Sequence, residues 1–430
     1  MLVIDEKTFS DFPGWKYNRL AAAPISTIWT ESATPESKIH RIHAYPARFP
    51  SFLVHRAFEY AAQQGVGIKK VADLFCGSGT VACEAGTRGL EFWGCDINPI
   101  ATLIARVKCA QLHPLKFEQQ MKTILRGAQT ASTELTLSAS AIDRLRPWFE
   151  PRQFDALARL RNAIRAEVGD ESADSKAFEC AFSAILKQAS QWRVRSIKPS
   201  RDLQKRAMPV GEAFHRQCKL MAAAWSEVSL TNRSKATVVC GNVTNVERPS
   251  SPVDIIVTSP PYATSYEYPD LHQLSALWLG FVDDHRDLRA GVIGASTRRA
   301  NLTHAMQFLN SVAMQIVFSL YDKNRALAEA TAEYFLDMQK VAKRAYEFLR
   351  PGGISVFVIG NTQLNGVRID NANHLVESLL DAGFMNIRVL KRQLSNKPNT
   401  PYRLANGRLS SAPSNMQIYA EEYIVMAQRP

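Results

Sequence analysis

Residues 68–96 constrain the fold more than any other part of the chain. Ile68 to Phe75 (IKKVADLF) is a short apolar run, CGSGT follows, TVACEAGTRG has helical spacing and stops at Gly89, and EFWGCDI is apolar again. This order predicts strand, glycine turn, helix, strand, and Pro99 to His113 (PIATLIARVKCAQLH) supplies a helix crossing back over the sheet. Helical crossovers demand parallel strands, so the fold class is α/β with a mostly parallel, Rossmann-like sheet. KATVVCGNV, DIIVTSPPY and ISVFVIG add strands, the last after the stop signal LRPGG. A helix, NANHLVESLLDAGF, then leads to NIRVL and EEYIVMA, which read as a C-terminal antiparallel hairpin.

Between about 114 and 235 the strand signal stops and helical patterns take over. That segment is either a separate lobe or a large insertion in the sheet domain. The expected division is an N-terminal extension (1–37), a first sheet segment (38–113), the helical insertion (114–235) and a second sheet segment (236–430), itself interrupted by helix at about 286–330. With 430 residues, 46% hydrophobic and 21% charged, the composition is globular and leaves no room for a coiled-coil or disordered class. No apolar run reaches the roughly 18–20 residues of a membrane span, and Met1 to Ser10 has early acids and no apolar signal core. Seven cysteines without C-x-x-C spacing encode neither a disulfide framework nor a zinc site. These features predict a soluble, cytoplasmic protein with no metal.

Asp73-Leu74-Phe75-Cys76-Gly77-Ser78-Gly79-Thr80 stands where a strand ends and a helix begins, the place where open α/β sheets bind ligands. Gly77 and Gly79 admit close backbone approach, and the helix offers unpaired N–H groups at Thr80. The glycine pattern alone also suits a dinucleotide. Asp73 shifts the balance, because a carboxylate there repels a pyrophosphate and pairs with an ammonium, such as the amino group of S-adenosylmethionine. Asp96, ending the next strand, is placed to accept ribose hydroxyls, and Asn242 to face an adenine amine.

The sharpest signal is Thr258-Ser259-Pro260-Pro261-Tyr262, directly after the apolar strand DIIV. Two prolines lock φ and remove two N–H donors, so the turn leaves the sheet rigidly with carbonyls to offer. An exocyclic amine needs two acceptors, and a serine oxygen plus a backbone carbonyl supply them. Tyr262 offers a face on which a base stacks. The expectation is that this turn faces the glycine turn across one cleft.

Together these motifs resemble the amino-group DNA methyltransferases, and within them the cytosine-N4 branch. DLFCGSGT is similar to the family's cofactor motif and TSPPY to its catalytic motif, with Ser where adenine enzymes usually carry Asp. Ile42 to Pro50 (IHAYPARFP) resembles the segment that lines the methionine end of the cofactor, which brings in Tyr45 and Phe49. LRPGG-ISVFVIGN and the final hairpin also match the family's C-terminal half. The resemblance implies a methyltransferase sheet, S-adenosyl-L-methionine as cofactor (Tyr45, Phe49, Asp73, Phe75, Gly77, Gly79, Thr80, Asp96, Asn242), and catalysis by Ser259, Pro260, Pro261 and Tyr262. It implies base flipping and in-line methyl transfer to cytosine N4 in double-stranded DNA, in a restriction-modification setting with a separately acting endonuclease. Adenine-N6, and an RNA or protein amide, are the alternative acceptors. His43 is expected to pack under the cofactor.

Lysine and arginine exceed the acids by 52 to 40, and residues 187–235 hold eleven cations against three acids. Arg193, Arg195, Lys198, Arg201, Lys205 and Arg206 are the candidate DNA-phosphate contacts. The loop 391–411 is a candidate second clamp, with Arg298 and Arg299 a minor third.

Overall fold

The computed structural model describes residues 19–30, 35–46, 48–193, 199–227, 235–263, 268–295, 297–393, 402–403, 409–410 and 421–430. The sheet domain begins with α1 (Ser51–Gln63), β1 (Lys70–Asp73), α2 (Thr80–Thr87), β2 (Glu91–Asp96) and α3 (Pro99–Cys109). Helices α4 (Pro114–Gly127), α5 (Ala139–Leu145), α6 (Pro151–Val168), α7 (Ala173–Ala189) and α8 (Val210–Glu227) come next. Then follow β3 (Ala236–Cys240), β4 (Val253–Thr258), α9 (Tyr268–Leu271), α10 (Gln273–Leu279), α11 (Leu302–Ala305), α12 (Ser311–Tyr321) and α13 (Arg325–Phe348). The remainder is β5 (Leu349–Gly360), β6 (Thr362–Leu364), β7 (Val367–Ile369), α14 (Asn371–Asp381), β8 (Met385–Gln393), β9 (Tyr402–Arg403), β10 (Leu409–Ser410) and β11 (Glu421–Gln428).

Seven strands form one sheet in the order β3-β2-β1-β4-β5-β11-β8. The pairs from β3 to β5 are parallel, and β11 runs antiparallel to both of its neighbours. The final strand is therefore slotted between β5 and β8, and not added at the edge. This is a mostly parallel α/β sheet with its antiparallel strand, β11, paired to β8, as the order of the sequence elements implied. Chain order reverses between β1 and β4, which makes their carboxyl ends the topological switch point. Asp254 fixes the other end of the same strands, accepting the Lys69 and Lys70 N–H groups at 2.7 and 2.8 Å and Arg350 Nε at 2.6 Å.

Strand alternation divides the core into two layers. Val253 and Ile256 of β4, with Phe357 and Ile359 of β5, join the cluster made with α12, α13 and α14. Ile255, Val257, Val356 and Val358 point the other way, into a cluster with α1 and α2. The start of α3 is set locally: Asn98 accepts the Ile100 N–H at 3.0 Å and Pro99 occupies the first turn.

The helices between α3 and β3 do not form a core of their own. Phe117, Phe178 and Trp225 of α4, α7 and α8 pack in one apolar cluster with Ile100, Leu103, Ile104 and Val107 of α3 and Trp278 of α10. Because β2 pairs directly with β3, the chain leaves and returns to adjacent strands. The sequence reading did not give α1, α10 or the β6–β7 hairpin, and the helix expected at about 286–330 is broken into α11, α12 and the start of α13. Asn310 and Asn324 start the last two by accepting the Ala313 and Leu327 N–H groups at 3.0 Å. Among the described residues, no helix is long and apolar enough to cross a membrane.

Candidate functional site

The cofactor turn and the S-P-P-Y turn leave adjacent strands at the switch point, and one side chain ties them together. Thr258 Oγ1 donates to Asp73 Oδ1 at 2.7 Å, and the Phe75 N–H donates to both, at 3.2 and 3.1 Å. Asp73 Oδ2 has no hydrogen bond among the described residues. Burial pushes the Asp73 carboxyl up to about 7, against the pull of the Thr258 and Phe75 bonds. Asp96 is pushed by burial to about 6, although Oδ2 accepts the Gly77 N–H at 2.9 Å and Oδ1 the Asn98 N–H at 2.8 Å. A buried and a half-buried carboxylate with no cation beside them favour a positively charged ligand.

The glycine turn has two separate reasons for its glycines. Gly79 has φ +75° and a Cβ there would lie 2.7 Å from Ala105, so this residue lets α2 close on α3; ligand approach is not its main constraint. Gly77 has φ +46°, and the nearest side chain to a Cβ there is Tyr45, at 3.7 Å. Tyr45 thus sits beside the turn, stacked on His272 with centroids 5.0 Å apart. His272 Nδ1 meets Asn98 Nδ2 at 3.0 Å. Thr80, at the first position of α2, has a buried Oγ1 without a hydrogen-bond partner among the described residues. Phe75 is half-buried against the sheet core, and Phe49 packs on the opposite layer. His43 bonds Ser183 of α7 at 2.9 Å, and burial lowers its pKa to about 4, so it sits neutral. The buried Asp73, the unpartnered Thr80 hydroxyl and the half-buried Gly77 of the glycine turn fit an ammonium-bearing nucleoside such as S-adenosylmethionine. Among the described residues no group of His, Cys, Asp and Glu is arranged to hold a metal ion.

Asn242 is differently employed from the sequence expectation. Its Nδ2 donates to the Gly291 carbonyl at 2.8 Å, and its Oδ1 accepts Thr244 N and Oγ1, both at 2.9 Å. Both amide atoms are committed to holding the loop at 291, because the following Thr244 makes an Asx turn with it.

In the S-P-P-Y turn, Ser259 Oγ donates to the Val358 carbonyl at 2.9 Å. The hydroxyl hydrogen is directed at β5 and not at the glycine turn, which leaves the oxygen's lone pairs as the free functionality. The Pro261 carbonyl accepts the Tyr334 hydroxyl at 3.1 Å, whereas the Pro260 carbonyl has no hydrogen bond among the described residues. Tyr262 donates to Glu422 Oε1 at 3.1 Å, and its ring crosses Gly360 so closely that a Cβ there would lie 3.1 Å from it.

The DNA-contact candidates divide. Arg195 and Lys198 lie outside the described residues, as does most of the loop 391–411. Arg193 and Arg206 are exposed, and exposed Arg201 donates to the Pro147 carbonyl at 2.9 Å. Lys205 corrects the sequence reading: its ammonium donates to the carbonyls of Lys187, Ser190 and Trp192, capping the end of α7. Arg298 is held by Glu333 and Asp337, while Lys391 and Arg392 are buried in β8. None of these three is a surface clamp.

Sequence reasoning did not single out His272, Tyr334 or Glu422, nor the use of Thr258. Glu422 had a visible signal, an acid at the start of an otherwise apolar strand. The others gave none: His272 precedes α10 and Tyr334 lies on α13, and each reaches its partner through tertiary packing, as Thr258 does through strand pairing.

Comparisons with known proteins bear on the family resemblance. Residues 6–106 match the family model described as DNA methylase, the N6/N4 type. The chain is 24% identical over 432 residues to the Type II methyltransferase M.MvaI of Kocuria varians, covering 90% of this chain and 91% of that one. The likeness to the amino-group DNA methylases, first drawn from the motifs, therefore stands. Solved structures that resemble it include an rRNA methyltransferase of Streptomyces viridochromogenes (10% identity, TM-score 0.29, 91% of this chain and 90% of that one). TrmN of Thermus thermophilus is another (10% identity, TM-score 0.31, 93% and 55%). At those scores the superpositions are too loose to bear on function.

Proposed function

We propose that the protein is an S-adenosylmethionine-dependent, site-specific DNA methyltransferase that modifies the exocyclic N4 amine of cytosine in duplex DNA. The Thr258–Asp73 hydrogen bond carries this reading, since it clamps the S-P-P-Y turn against the cofactor turn at the switch point. The cofactor, when bound, supplies an activated methyl group. Asp73 Oδ2 holds its ammonium, Asp96 retains lone pairs for ribose hydroxyls, and Tyr45 closes the side of the glycine turn.

With its hydrogen given to Val358, the Ser259 oxygen accepts one hydrogen of the target amine. The Pro260 carbonyl accepts the other, because the Pro261 carbonyl is already engaged by Tyr334. Two acceptors on one amino group draw its nitrogen toward tetrahedral geometry and aim its lone pair at the incoming methyl group. The base reaches this cleft by leaving the duplex, and stacking on Tyr262 offsets about 1–3 kcal/mol of that cost. Serine in place of aspartate at 259 is the feature that favours cytosine over adenine.

Tritiated methyl transfer from S-adenosylmethionine to duplex DNA, compared with RNA, tests the proposal. Label in duplex DNA that co-migrates with N4-methylcytosine after digestion is expected. Label on N6-methyladenine moves the assignment to the adenine branch, and label confined to RNA overturns it.

A further inference from the structure

We propose that Glu422 and Arg392 are positioning residues that orient the Tyr262 ring for the target base, an inference that rests on the function proposed above. In register, Gly360 of β5 lies opposite Glu422 of β11, and Glu422 lies opposite Arg392 of β8. Directly paired residues present their side chains on one face of a sheet. The three positions therefore form a row, and in that row Gly360 has no side chain. The Tyr262 ring fills the gap, with its Cε2, Cζ and hydroxyl within 3.1–3.2 Å of where a Cβ would stand. From there its hydroxyl reaches Glu422 Oε1, while Arg392 Nε lies 3.1 Å from Glu422 Oε2.

Both charged residues are almost fully buried, at 5% exposure each. A buried ion pair is poor value as a source of stability, because desolvation cancels most of the attraction. Its effect here is placement: the Arg392 charge sits beside the carboxylate, although Arg392 Nε makes no hydrogen bond among the described residues, and its guanidinium lies 5.7 Å from the Phe52 ring of α1. Glu422 in turn fixes the hydroxyl of a ring attached to the rigid Pro260-Pro261 turn. An aromatic face for stacking needs only a ring, so a hydroxyl anchored by a buried carboxylate adds control of the ring plane. Neither positioning residue touches the base.

Tyr262→Phe keeps the ring and removes the anchor; Glu422→Gln keeps an acceptor and removes the charge. Expected for Tyr262→Phe is a fall in kcat of roughly tenfold, what loss of one hydrogen bond to a charged group amounts to, with unchanged affinity for S-adenosylmethionine. Glu422→Gln is expected to fall less, and the double variant no further than Tyr262→Phe alone. With 2-aminopurine as the target base, both variants are expected to show altered fluorescence of the extruded base, which a merely structural contact would not produce. Tyr262→Phe folds without leaving a buried charge unpaired, so it decides the matter even if Glu422→Gln is unstable. An active wild type with a Tyr262→Phe variant of equal kcat and equal fluorescence overturns this inference alone. Fully additive losses in the double variant also overturn it. A wild type inert on DNA overturns the functional reading, and this inference with it.

Discussion

The carboxyl ends of β1 and β2 and the basic segment around Trp192 both concentrate charge, and they use it in opposite ways. At the strand ends, buried Asp73 and half-buried Asp96 have hydrogen bonds to a hydroxyl and backbone N–H groups, with no cation among their partners in the described residues. That charge is not consumed by a structural ion pair. In the basic segment, Lys205 is spent on three helix-end carbonyls and Lys187 lies 4.8 Å from the Trp192 ring centroid. There the charge is partly structural, and the arginines at 193, 201 and 206 are what remains exposed. Charge clustering along the chain does not separate these uses; burial and partners do.

The comparison breaks first at Ser259. Ser259→Ala removes the amine acceptor without touching the cofactor turn, so turnover is expected to fall ~100-fold or more, with S-adenosylmethionine affinity nearly unchanged. Full activity in a methyl-transfer assay would remove the serine from the chemistry. In the basic segment, combining Arg193→Ala, Arg201→Ala and Arg206→Ala is expected to weaken DNA binding and reduce the salt slope by roughly one per lost phosphate contact. Lys205→Ala is expected to do the reverse, lowering thermal stability by about 1–3 kcal/mol, the cost of leaving carbonyls unpaired, with the salt slope unchanged. An unchanged slope in the triple variant would take this segment out of the DNA interface.

Much of the catalytic side was legible in the sequence because its signals are local. A strand, a glycine turn and a helix are contiguous at 70–87, and S-P-P-Y follows its strand without a gap. What escaped was every contact made by the sheet order. Thr258 and Asp73 are 185 residues apart, Tyr262 and Glu422 are 160 apart, and each pair meets because β1, β4, β5 and β11 stand side by side. The misassigned residues share one cause. Lys205, Arg298 and Asn242 were read by chemical type, and each had a partner that only tertiary structure supplies. The role of Gly79 was hidden for the same reason, since Ala105 lies on the next helix.

The central claim is that the two turns enclose one cleft in which the Asp73 carboxylate waits for a cation. With its carboxyl at about 7 in the fold and 3.8 as the ordinary value, the unfolded chain holds fewer protons between those limits. Stability without ligand therefore falls as pH rises from about 4 to about 7, and a bound ammonium relieves the penalty. Calorimetric titration with S-adenosylmethionine between about pH 5 and 7, below the ordinary pKa of an α-amino group at about 7.7–8.0, tests this directly. The affinity is expected to rise roughly tenfold or more with pH, and in Asp73→Asn the rise is expected to shrink to what Asp96, at about 6, contributes. An affinity that is flat across this range, or a slope undiminished in Asp73→Asn, would contradict the claim.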